Sequence, residues 1–172
     1  VVDSGVYTEH SDISANIWVN SAEIPDNGLD DDNNGLVDDV SGWDFVNDDN
    51  IPDDGNGHGT HVAGTIAAID NTIGVVGVMP NAKVNLHIVK VFNASGWGYS
   101  SDLATAVNTC VSNGADVVNM SLGGPSASEF RPASALRAAV LARRQPTGGD
   151  LAGGPGPGRA PVAGRPGPGR SA

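Results

Sequence analysis

The run Gly57-His58-Gly59-Thr60-His61-Val62-Ala63-Gly64-Thr65 restricts this chain more than any other stretch, because it sets an imidazole between two glycines at the entrance to a close-packed helix. The glycines let the backbone turn sharply and let another backbone approach without meeting a β-carbon. From Gly59 onward Val62, Thr65, Ile66 and Ile69 recur at helical spacing, with Ala63, Gly64, Ala67 and Ala68 between them. That pattern predicts a tightly packed, mostly buried helix. His58 falls at or just before its first turn, where the positive end of the helix dipole disfavours imidazolium and keeps the ring available as a base. It reads as a catalytic histidine.

A histidine base needs a carboxylate behind it to fix the tautomer and stabilise the transient cation. Asp3 is the candidate, since Val1-Val2 has the look of a buried strand end and Ser4-Gly5 signals a turn. An aspartate at the carboxyl end of a parallel strand lies where open α/β sheets gather functional groups.

Three ordered motifs, Val1-Val2-Asp3-Ser4-Gly5, the histidine run and Asn119-Met120-Ser121-Leu122-Gly123-Gly124, resemble those of the subtilisin-like serine proteases. The resemblance covers residues 1 to about 129 and implies that Asp3 and His58 are two members of an Asp-His-Ser triad. It further implies a serine in a Gly-Thr-Ser-Met-Ala string and an oxyanion-hole asparagine beyond the Ser-Leu-Gly strand. Neither is present: no Thr-Ser pair occurs in the 172 residues, and no asparagine follows Asn119. The resemblance also implies secretion and an extended peptide or protein substrate. That peptide would pair with Gly96, Trp97 and Gly98 as an added strand, while Ser121, Leu122 and Gly123 would line the pocket for the residue before the cleaved bond. Without the resemblance, Ser121 to Gly124 is an ordinary glycine turn after a strand.

Composition divides the chain. Residues 1–129 hold two basic residues, Lys83 and Lys90, whereas residues 130–172 hold seven arginines and one acid, Asp150. The net charge of −11 therefore joins an acidic body to a cationic tail. The acidic part argues against nucleic-acid binding, and no run is long and apolar enough to span a membrane. Beyond Phe130 come an Ala/Arg stretch, with helical spacing over residues 133–144, and Gly/Pro/Arg repeats that cannot bury a core. The expectation is a partial protease domain over 1–129 followed by a disordered non-family tail over 130–172. A start within a strand and the lack of an initiator methionine point the same way, to a fragment or processed chain.

The acidic stretch between Asp26 and Asp54 is the second informative region. Asp30, Asp32 and Asn34 occupy alternating places, Gly35 sits at the turn, Leu36 offers a carbonyl and Asp38 a further carboxylate, in the manner of a calcium loop. The position expected to hold a bidentate glutamate is Ser41, and no flanking amphipathic helices appear, so an EF-hand does not fit. Calcium tying this loop to the domain is expected; a plain acidic surface loop is the alternative. Asp53 and Asp54, just ahead of the histidine turn, are assigned to hydrogen bonding of loop amides.

The remaining periodicity predicts α/β architecture, a parallel sheet flanked by helices, which the resemblance implies is subtilisin-like and incomplete. Strands are expected over 84–92 and 116–120, with a helix between them from a Ser100 or Ser101 cap to Asn113-Gly114. Cys110 falls on the apolar face of that helix with Leu103, Ala106 and Val107 and reads as a small core residue. His58 and His61 could be imagined as a metal pair, but no acid lies between them as in a zinc-protease helix. His61 is instead expected to pack against the floor of the site, and His10 and His87 to be structural. Two functions follow: a serine endopeptidase represented by its amino-terminal part, or a non-catalytic acidic, calcium-binding fragment.

Overall fold

The computed structural model describes residues 1–81 and 84–123. The tail over 130–172, with its expected helix over 133–144, lies outside the described residues. Among the described residues three short strands form one parallel sheet in the order β1-β3-β2: β1 is Val2–Asp3, β2 is Gly42–Asp44 and β3 is Ile88–Lys90. Asp3, Lys90 and Asp44 lie side by side at its carboxyl edge. The strand expected over 84–92 is ladder-paired only at its centre, because its neighbours are two and three residues long. Leu86 extends the pairing through an isolated bridge to Ile17. Residues 116–120 run beside β1, where the Asn119 carbonyl accepts a hydrogen bond from the Val2 amide.

Alternation along the sheet gives it two apolar faces. Val2, Val89 and Val91 pack with Leu103, Ala106 and Cys110 of helix α2, Ser100–Ser112. Ile88 and Leu86 pack with Ala63 and Ala67 of helix α1, His58–Ala67. The sheet is thus flanked by helices, as the periodicity predicts, and Cys110 is a core residue at 1% exposure. Helix α2 starts where expected, but Tyr99 holds the cap position without a side-chain bond, because the Ser101 hydroxyl donates to Asp102 instead. Helix α1 ends at Ala67, short of Ile69, whose amide donates to the Asp12 carbonyl. Its buried positions are Gly59, Ala63, Gly64 and Ala67, so it is half rather than mostly buried.

Candidate active site

Asp3 ends β1 and His58 begins α1, and the sheet's carboxyl edge brings them together. His58 Nδ1 lies 2.7 Å from Asp3 Oδ1, with the carboxylate 2% exposed and the ring 52% exposed. Asp3 Oδ1 also accepts the Ser4 amide at 2.7 Å, while Oδ2 is buried with no hydrogen-bond partner among the described residues. A buried carboxylate on Nδ1 leaves Nε2 on the open side of the ring, where it can take and return a proton. The hydrogen bond and negative charge of Asp3 raise the His58 pKa above its ordinary value. This corrects the expectation that the helix terminus would disfavour imidazolium. A full carboxylate charge in hydrogen-bond contact outweighs the partial charge of a helix end.

Close backbone approach makes the contact possible. A β-carbon on Gly59 would collide with the Gly5 carbonyl oxygen and crowd the Asp3 side chain. Gly57 has φ of 95°, a left-handed conformation that glycine adopts without strain, and caps α1. His61 is exposed rather than packed beneath the site, because it projects away from the small-residue face of α1. Asp54 bonds the loop amides of Asn56, Gly57 and Thr60.

The expected peptide-binding segments both leave the sheet next to Asp3. The Val91 and Phe92 amides donate to the Asp3 carbonyl, and the following loop carries Gly96, Trp97 and Gly98. Asn93 organises that loop, since its side chain accepts from the Ser95 and Trp97 amides. Asn56 Nδ2 donates to the Ala94 carbonyl, tying the loop to the histidine turn. Trp97 and Tyr99 are 76% and 78% exposed, and a recess of about 370 Å³ opens between them, Phe45, Val46, Val91 and Asp102. Ser121, Leu122 and Gly123 follow Asn119 out of the sheet, and the Ser121 hydroxyl donates to the Asn119 side chain.

The acidic loop folds around its own carboxylates. Glu23, Asp32 and Asp39 bring ligand atoms within 4.8 Å of one another. Asn20 bridges Asp32 and Asp39 through its amide nitrogen, and Asn34 does the same from the other side. Of the residues expected to hold a cation, Asp32 and Asn34 belong to this centre. Asp30 accepts the Asn34 and Gly35 amides, Asp38 accepts those of Asn27 and Gly28, and the Leu36 amide donates to Asn34. Glu23 and Asp39 are not among the residues expected to hold a cation. Glu23 lies outside the loop whose spacing was read, and Asp39 is the neighbour of the expected Asp38. Burial, and then the charge of Asp32, raise the Asp39 pKa against the lowering effect of Asn20 and Asn34.

Comparison with known proteins now bears on this geometry. The subtilase family model matches residues 1–150, a stretch that runs past the change in composition near Phe130. The chain is 41% identical over 140 residues to subtilisin DY of Bacillus licheniformis, covering 81% of this chain and 40% of that protein. It is 45% identical over 121 residues to subtilisin-like protease 1 of Plasmodium falciparum, covering 69% of this chain and 17% of that one. Among solved structures, the psychrophilic subtilisin-like protease Apa1 of an Antarctic Pseudoalteromonas matches with a TM-score of 0.54 and 45% identity, over 80% of this chain and 27% of that one. The chain therefore spans well under half the length of these relatives.

Proposed function

Because the chain belongs to the subtilase family, we propose that Asp3 and His58 are the orienting carboxylate and general base of a serine endopeptidase. The observation that carries this reading is the 2.7 Å contact between a buried carboxylate and the Nδ1 of an otherwise exposed ring. In this role His58 Nε2 removes the proton from a serine hydroxyl as it attacks the scissile carbonyl, then delivers it to the leaving amine. Asp3 holds the tautomer and stabilises the imidazolium without taking the proton. The raised His58 pKa agrees with a ring that must carry that proton between steps.

The substrate is proposed to be an extended peptide or protein segment, lying along Gly96, Trp97 and Gly98 on one side and Ser121, Leu122 and Gly123 on the other. Glycines in both segments permit the close main-chain approach that strand addition requires. Secretion is proposed with the family. Among the described residues no helix is long and apolar enough to cross a membrane.

Calcium is proposed to bind at the acidic loop. Hard carboxylate and carbonyl oxygens suit that ion, and Glu23, Asp32 and Asp39 present converging negative charge from a largely buried position. Asp32 and Asn34 would remain in its surroundings, while Asp30 and Asp38 would shape the loop. Bound there, calcium would supply charge neutralisation and cross-linking rather than chemistry.

The 172 residues contain no Gly-Thr-Ser-Met-Ala string, so the chain by itself is proposed to be catalytically silent, retaining binding and proton-transfer parts without a nucleophile. A fluorophosphonate probe, which reacts with an activated serine, is the test. No labelling is expected of the chain alone. A chimera that joins residues 1–123 to the remaining part of subtilisin DY should label, and its peptide hydrolysis should slow by roughly 10⁶-fold in His58→Ala and roughly 10⁴-fold in Asp3→Asn. Stoichiometric labelling of the unmodified chain, or an active His58→Ala chimera, would sink the assignment.

A further inference from the structure

One carboxylate at the histidine turn does more than cap a helix. Asp54 Oδ1 accepts the Ser4 hydroxyl at 2.9 Å and the Asn56 and Gly57 amides at 2.9 and 2.8 Å. Asp54 Oδ2 accepts the Thr60 amide at 2.9 Å and the Thr60 hydroxyl at 2.6 Å. These five donors come from two separate stretches, the turn that leads into α1 with its first turn, and the residue after β1. Asn56 and Gly57 precede His58, the first residue of α1, and Thr60 follows it, while Ser4 directly follows Asp3, the last residue of β1.

The link is closed by reciprocal bonds. Ser4 Oγ accepts the Gly59 amide at 3.0 Å while its hydroxyl donates to Asp54, and the Ser4 amide donates to Asp3 Oδ1. Thr60 Oγ1 accepts the Tyr7 amide at 3.0 Å while donating to Asp54. The turn after Asp3 and the first turn of α1 are therefore stitched together by the direct Gly59–Ser4 and Tyr7–Thr60 bonds, and Asp54 ties both of the bonded hydroxyls. Gly57 at the cap position has no side chain to offer α1, so its first amides are taken by Asp54 and Ser4.

We propose that Asp54 is a positioning residue for proton transfer: acting through Ser4, Gly57 and Thr60, it fixes the register between β1 and α1 at which Asp3 and His58 meet. This rests on the reading of Asp3 and His58 as a catalytic pair. Asp54 touches neither substrate nor the reacting atoms. Its own charge is well held, since burial pulls its pKa upward but bonds from Thr60, Gly57 and Asn56 together bring it below the ordinary value. An aspartate is suited to the place because a carboxylate accepts from five donors without offering a proton of its own, and because negative charge is favoured at a helix amino terminus.

The test is NMR of the 172-residue chain, following the His58 ring titration and the low-field Nδ1 proton shared with Asp3. Asp54→Asn removes charge and half of the accepting capacity. Ser4→Ala keeps the charge but cuts the stitch, and its small change guards against loss of the fold, which helix content monitors. Both variants are expected to move the His58 titration to lower pH and to broaden or abolish the low-field resonance. Wild-type titration and resonance in both would overturn the proposal. So would an effect confined to Asp54→Asn, which would mean that charge alone matters. Failure of the underlying catalytic reading shows differently, as a His58 titration unmoved by Asp3→Asn.

Discussion

Acidification should weaken this fold through His87, a histidine far from the proposed chemistry. The ring is buried at 7% exposure and packs edge-on against Trp18, with ring centres 4.7 Å apart. Asn113 Nδ2 lies 3.2 Å from His87 Nε2, and the amide can only donate there, so the neutral ring carries its proton on Nδ1. Protonating Nε2 would set an N–H against the amide's own hydrogens in a buried place that the Val1 ammonium already makes positive. Burial accordingly lowers the pKa to about 4. A group whose folded pKa is depressed below its unfolded value near 6.5 stays neutral while the unfolded chain takes up a proton. Stability is then full above about pH 6.5 and falls as the pH drops towards 4, with a limiting slope of about 1.4 kcal/mol per pH unit. Integrated, the loss is about 2 kcal/mol at pH 5 and about 3 kcal/mol at pH 4. The assay is urea unfolding of the wild type and of His87→Gln at several pH values, taking the difference between the two proteins to cancel other groups. That cancellation matters because the raised pKa values of His58 and Asp39 act with the opposite sign. A wild-type-minus-variant difference that is independent of pH between 7.5 and 5 would refute the reasoning.

Three further outcomes are expected. Gly59→Ala places a methyl group against the Gly5 carbonyl and should cost about 1–3 kcal/mol in unfolding free energy, the usual range for overpacking; unchanged stability would show that the two turns can separate freely. Lys90→Met strips the buried Asp44 carboxylate of its 2.7 Å ion-pair partner and should cost about 3–5 kcal/mol, much of it recovered in the Lys90→Met, Asp44→Asn double variant. Equal losses in single and double variants would count against the ion pair as the cause. Calcium at 100 times its dissociation constant should add about 2.7 kcal/mol of stability over chelator-treated protein, and Asp39→Asn should remove most of that gain; superimposed melting curves with and without calcium would rule the site out.

The pair Asp3 and His58 was legible because each sits on a local signal, a strand end before Ser4-Gly5 and a helix start flanked by Gly57 and Gly59. Helix α2 and the core place of Cys110 were legible for a similar reason: apolar spacing over thirteen residues is a local property. The balance of effects on His58 was not, because the expected carboxylate outweighs the helix end only by virtue of its hydrogen-bond contact, which spacing does not give. Nor was the acidic centre. The loop-ligand spacing predicted Asp30 and Asp38, but side chains in this loop turn onto nearby amides, helped by left-handed backbone at Asp26, Asn33 and Asp38. The carboxylates that converge, Glu23, Asp32 and Asp39, are selected by how the loop closes on itself. Asp54 shows a third case, in which the residue's bonding to loop amides was expected but its bond to Ser4 was not, since that contact crosses fifty residues.

The position of β3 between β1 and β2 has a consequence for how such a chain is made. Val2 pairs with Val89 and Gly42 with Ile88, so neither earlier strand has its sheet partner until β3 has left the ribosome. Helix α1 can form before then, but Ile88 and Leu86 supply much of the surface on which it rests. During synthesis the proton-transfer pair would therefore remain unassembled while the acidic loop and the histidine turn were already exposed. Assembly of the candidate site is a late event in the life of the nascent chain, timed by a strand that contributes no residue to it.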